Sequence, residues 1–139
     1  MSYCTVDDLI ARYGEQELVE LTGQGQGAIG IAKAQQAIAD ASALIDSYLG
    51  GRYDLPLSAV PQALTRISAD IARYHLYDNI VPEVVQNNYD NALSFLKSVA
   101  KGEVRLGLSQ DNQSPASDDA IEIQSGGSVW GRNDSKGFI

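Results

Sequence analysis

A chain of 139 residues with 44% hydrophobic content is long enough for one ordinary domain with its own core. Its formal net charge of -8 argues against a protein that grips nucleic acid by neutralising phosphates, which needs clustered Lys and Arg. Cys4 and His75 are the single cysteine and the single histidine, so an internal disulfide is excluded and a zinc site lacks ligands, which fits a reducing cytoplasm. The opening MSYCTVDDLI has no charged head followed by an apolar run, and no stretch approaches the length of a bilayer span, so neither an export signal nor a membrane partner is expected.

In chain order, Thr5 before Val6, Asp7 and Asp8 predicts a helix start: a hydroxyl for the free N–H groups and carboxylates at the positive end of the dipole. That helix runs to about Tyr13, Gly14 stops it, and Glu15 to Leu21 forms a short second helix with Leu18 and Leu21 on a common side. Thr22 to Gly30 (TGQGQGAIG) carries four glycines in nine residues and reads as a mobile, hinge-like or partner-contacting loop. It lacks the Lys and Ser/Thr of a phosphate loop and the strand that precedes one, so nucleotide binding is disfavoured.

The chain is organised around Ala37 to Tyr77. Ile31, Ala34, Ile38, Ala41, Ile45 and Tyr48 recur at spacings of three and four and form one stripe of a helix. Gly50 and Gly51 suit a left-handed C-terminal cap. Arg52 to Leu57 is an extended link whose Leu55 and Leu57 are expected to close the end of a helical hairpin. The return arm has Leu64, Ile67, Ile71 and Tyr74 on its stripe, with Pro61 in a first helical turn. Pro82 opens a third long helix through Val85, Tyr89, Ala92, Leu96 and Val99, ending near Lys101. The expected fold is all-α: a three-helix bundle with two short N-terminal helices over an open side, spanning residues 1–108.

No constellation of side chains predicts catalysis, and an enzyme is the least favoured reading. His75, flanked by tyrosines on a helix, has no serine or cysteine placed beside it by local sequence, and a structural role is expected. Asp40, Asp46 and Asp70 belong to no Glu-x-x-His unit; Asp46 or Asp70 is expected to pair with Arg52, Arg66 or Arg73. The Cys4 thiol has no basic residue before Arg12 and is expected to be dispensable.

Residues 109–139 change character. Ser109 to Asp119 is polar and proline-broken, and the segment as a whole is rich in Ser, Gly, Asp and Asn, too poor in apolar area to offset its own ordering entropy. This segment reads as an extended arm that, from about Asn112 onward, docks on another subunit, the alternative being that it docks back on its own bundle. Ile121 and Ile123 alternate as in a strand that adds to a neighbour's edge, and Trp130 and Phe138 are candidate aromatic anchors.

The segments YCTVDDLIARYGEQELVELT, IDSYLGGRYDLPL, VPQALTRISADIARYHLY and NNYDNALSFLKSVAKGEVRL closely resemble a Mu-like bacteriophage protein family, along nearly the whole chain. That family is similar to the small helical head-completion, or head-tail connector, proteins of phage virions. The resemblance implies a structural virion subunit, assembled in the bacterial host cytoplasm into a homo-oligomeric ring, a dodecamer by expectation, beneath the portal protein. Such a ring extends the DNA channel, lets DNA pass without specific binding and offers a platform to the next connector or tail protein. No catalytic residue, cofactor or metal is implied. The reading of another class is a small helical binding or regulatory module of bacterial or prophage origin; ring formation separates the two.

Overall fold

Thr5 caps the first helix, α1 (Val6–Tyr13), with a reciprocal pair of bonds: its Oγ1 accepts from the Asp8 N–H at 3.1 Å, and the Asp8 carboxylate accepts from the Thr5 N–H at 2.9 Å. The computed structural model describes residues 2–107, and in that range the chain forms five helices and no strand. Gly14, at φ +93°, ends α1 and begins α2 (Glu15–Thr22), a conformation that L side chains rarely adopt.

The glycine-rich stretch after α2 is stitched at its neck. The Thr22 hydroxyl donates to the Leu18 carbonyl at 2.6 Å and accepts from the Gly30 N–H at 2.8 Å. A Cβ on Gly30 would lie 2.2 Å from the Thr22 carbonyl oxygen, so glycine is what lets the two sides of the neck meet. The tip of the stretch, residues 24–28, is exposed.

Three longer helices, α3 (Ile31–Leu49), α4 (Gln62–Leu76) and α5 (Glu83–Ala100), form the bundle, with α3 against α4 the most extensive packing. Their stripes are those the spacing predicts: Ala34, Ile38, Ala41 and Ile45 on α3, Leu64, Ile67 and Ile71 on α4, and Val85, Ala92, Leu96 and Val99 on α5 are buried. The ends of the α3 and α4 stripes are less covered, with Ile31 exposed and Tyr48 and Tyr74 half-buried, and on α5 Tyr89 is half-buried between Val85 and Ala92.

The middle of α4 is the centre of the molecule. Ile67, Ser68, Ala69, Asp70, Ile71 and Ala72 are all buried, because α3 and α5 cover two sides of this helix and α1 a third. Small residues at 68, 69 and 72 let the neighbours approach. Each fully buried Leu or Ile here contributes about 1.5 to 3 kcal/mol. α1 and α2 lie across the open side of the bundle as expected, α1 on α3 and α4, and α2 on α3.

Three local expectations are corrected. Gly50 is the C-cap of α3 but keeps right-handed dihedrals (φ -60°, ψ -22°); the helix end is held by the N–H groups of Arg52 and Tyr53, both donating to the Leu49 carbonyl at 2.9 Å. Leu57 closes the hairpin end, whereas Leu55 is exposed. Pro61 and Pro82 are extended N-caps just before α4 and α5 rather than first-turn residues, at φ near -60° where the ring holds them. Gly102, at φ +82°, turns the chain back after α5: its own N–H donates to the Val99 carbonyl and the Glu103 N–H to the Ser98 carbonyl, the Schellman pairing. Val104 and Leu106 then return to the core.

Candidate interaction surface

The up-down-up course of α3, α4 and α5 gives the bundle two ends of different construction. One end gathers the C-termini of α3 and α5, the link between α3 and α4, and residues 102–107. It is tied. Arg52 reaches across from the link and donates through Nε to the Ala100 carbonyl at 3.2 Å and through Nη2 to the Lys101 carbonyl at 3.3 Å. A guanidinium on the last carbonyls of a helix satisfies orphan acceptors and meets the negative end of the dipole. Tyr53 is buried beside it, and its hydroxyl accepts the Leu106 N–H at 3.2 Å.

The N-terminal helices are clamped by polar pairs. Tyr13 donates to Asp70 Oδ1 at 2.5 Å, and Arg66 lies 3.6 Å from the other oxygen of that carboxylate. Arg73 stacks over the Tyr13 ring at 4.3 Å and holds Glu17 of α2 with two bonds, Nε to Oε2 at 2.6 Å and Nη2 to Oε1 at 2.9 Å. Tyr3 donates to Asp46. Of the pairings expected from sequence, Asp70 with Arg66 forms; Asp46 takes a tyrosine instead, Arg73 takes Glu17, and Arg52 takes backbone carbonyls. Burial, then the carboxylate each one faces, pushes the Tyr3 and Tyr13 phenols well above their ordinary pKa. Cys4 is buried, and burial raises its thiol too, away from the reactive thiolate range, with Ser68 pulling the other way.

His75 is exposed on the last turn of α4. Its ring sits edge-on to Tyr74 at 5.9 Å and to Tyr89 at 6.2 Å, beside the parallel stack of Tyr74 on Tyr89 at 3.8 Å. This aromatic seam joins α4 to α5 and gives His75 a packing role. Among the described residues, no group of three or more His, Cys, Asp or Glu side chains is arranged to hold a metal ion, and no helix is long and apolar enough to cross a membrane.

The opposite end of the bundle is open. It gathers the start of α3, the end of α4, the turn after it and the start of α5, joined at the rim by Lys33 Nζ to Asp78 Oδ2 at 2.9 Å. Ile80 is 88% exposed, Val84 58% and Ile31 49%; the one other exposed large apolar residue among those described is Leu55. Three of four therefore share one end. The helical periodicity of α5 already set Val84 off the core stripe that begins at Val85, and that is the signal by which sequence reading reaches this surface. The predicted partner-binding residues Ile121, Ile123, Trp130 and Phe138, and the arm of residues 109–139 that carries them, lie outside the described residues.

The profile of the family described as "Bacteriophage Mu, Gp36" matches residues 3–125. A "Mu-like prophage FluMu protein gp36" from Haemophilus influenzae is 44% identical over 138 residues, covering 99% of this chain and 98% of that protein. "Gene product J" of Escherichia phage Mu is 38% identical over 146 residues, covering all of both chains. With the profile and both relatives matching along nearly its whole length, the chain belongs to the bacteriophage Mu Gp36 family.

Proposed function

We propose that this phage-family protein is a head-tail connector, or head-completion, subunit: a structural protein of the virion that forms a homo-oligomeric ring below the portal, extends the DNA channel and offers a platform to the next connector or tail protein. The observation that carries the reading is the family match itself, which runs through the helical bundle and on to residue 125, so the bundle and the segment after it are matched together. A bundle that presents one bare apolar end and continues into a polar chain with spaced aromatic residues suits a subunit whose work is contact with neighbours. The negative net charge suits a channel through which DNA slides, since few Lys and Arg means little phosphate attraction.

The test is complementation of a phage or prophage lacking this gene. The intact chain is expected in purified particles and restores tailed, infectious ones. A chain ending at Gln110 is expected to leave filled or leaking heads without tails. Normal particles in which the protein is absent would overturn the reading and favour a regulatory module.

A further inference from the structure

The described residues and the rest of the sequence leave two complementary sets of apolar side chains. The first is the open end, where Ile31, Ile80 and Val84 are exposed and Lys33 pairs with Asp78. The second is in residues 108–139, a stretch of 32 residues in which Ile121, Ile123, Trp130 and Phe138 stand among Ser, Gly, Asp and Asn. The chain leaves the bundle at Gly107, at the tied end, while the patch sits at the other end, separated by the length of α5, about 27 Å for 18 residues. The tied end offers no comparable patch, because Tyr53 and Leu57 are buried there and Val104 and Leu106 already pack on the core.

We infer that the open end, Ile31 with Ile80 and Val84, is the dock for residues 109–139 of a second copy of this chain. The inference rests on the connector reading and names the surface by which copies join. A donor segment that leaves one end and a receiving patch at the other make a heterologous, head-to-tail contact, the kind that closes into a ring when the rotation between copies permits. Folding the segment back onto its own open end would lay the 14 residues from 108 to 121 along the length of the bundle, past exposed polar positions such as Gln35, Gln36, Asp40 and Ser94. Docking on a neighbour whose open end lies beside the exit needs no such path. The aliphatic patch also suits the occupant: large side chains entering an apolar site rimmed by polar groups supply most of the energy of such contacts.

The experiment uses the full chain with a benzoylphenylalanine photo-crosslinker at position 80, assembled from equal amounts of isotopically light and heavy protein. Crosslinks from position 80 to residues 109–139 that join light to heavy peptides are expected. Crosslinks confined to one isotope would place the segment on its own bundle and overturn the inference, as would crosslinks from position 80 to described residues of a second copy. A chain that is monomeric by light scattering and gives no inter-copy crosslink would also overturn it. The double variant Ile80→Glu with Val84→Glu, in the full chain, is expected to weaken self-association by on the order of tenfold or more with unchanged helical circular dichroism; unchanged association would again overturn it. Failure here leaves its own signature: if the double variant still completes heads in the complementation assay, the dock is elsewhere and the connector reading stands, whereas absence of the intact protein from particles defeats that reading itself.

Discussion

The two ends of the bundle are built for different work. At the tied end, backbone groups that a helix terminus leaves open are met by protein: Arg52 on the carbonyls of Ala100 and Lys101, the Tyr53 hydroxyl on the Leu106 N–H, and the Gly102 turn on Ser98 and Val99. At the open end, one rim ion pair, with Asp78 largely exposed, accompanies bare aliphatic side chains. A surface ion pair is worth at most about 1 kcal/mol. Both ends rest on the buried middle of α4, but the tied end closes its own helix termini, whereas the open end leaves Ile31, Ile80 and Val84 uncovered. Those side chains are available for contact without cost to the fold.

Substitutions among the closing groups of the tied end should therefore cost stability, and those at the exposed Ile31, Ile80 and Val84 should not. The largest effect is expected for Tyr53→Ala, which empties a buried aromatic site and removes the Leu106 acceptor: a loss of about 3 to 5 kcal/mol in chemical denaturation. Equal stability in that variant would erase the contrast between the ends. Gly102→Ala comes next. Its φ of +82° strains any side chain, and the added Cβ would lie 2.5 Å from Arg52 Nη2, so a loss of about 1 to 2 kcal/mol is expected, less if the arginine swings clear.

The Tyr3 and Tyr13 phenols hold their protons more tightly in the folded chain than in the unfolded one, where the pKa is about 10. Their contribution to stability is thus complete below about pH 10 and is lost as pH rises from there toward the folded-state values, because the unfolded chain then binds fewer protons than the native one. Melting temperature should fall steeply above about pH 10, and Tyr3→Phe with Tyr13→Phe should flatten that fall. A wild-type alkaline limb identical to that of the double variant would show that other groups set it. The smallest effect is expected for Ile80→Asn, within about 0.5 kcal/mol of wild type in thermal unfolding, since the side chain is almost wholly in solvent.

Much of this fold was legible in the sequence because it is written locally. The three-four spacing of Ile38, Ala41 and Ile45, the helix start at Thr5 with Asp7 and Asp8, and the stops at Gly14 and Gly102 all act within a turn or two of the chain. Pairings across long separations were not legible. Glu17 as the partner of Arg73 is 56 residues away, and Tyr3 with Asp46 is 43, so only the packing of α1 and α2 decides them. Leu55 misled for a related reason: the link has no periodicity to say which of its two leucines faces inward, and Leu57 won. Composition marks residues 22–30 as a loop but does not show the Thr22 bonds that close its neck. The candidate surface was half legible. Val84 falls off the α5 stripe by spacing alone, but the gathering of Ile31, Ile80 and Val84 at one end follows only from the antiparallel course of the three helices.

The claim that this is a connector subunit is tested most directly by light scattering on the full chain, alone and mixed with the portal protein of the same phage. A closed oligomer of defined mass is expected, formed by the chain itself or on the portal. A chain that stays monomeric under both conditions would contradict it.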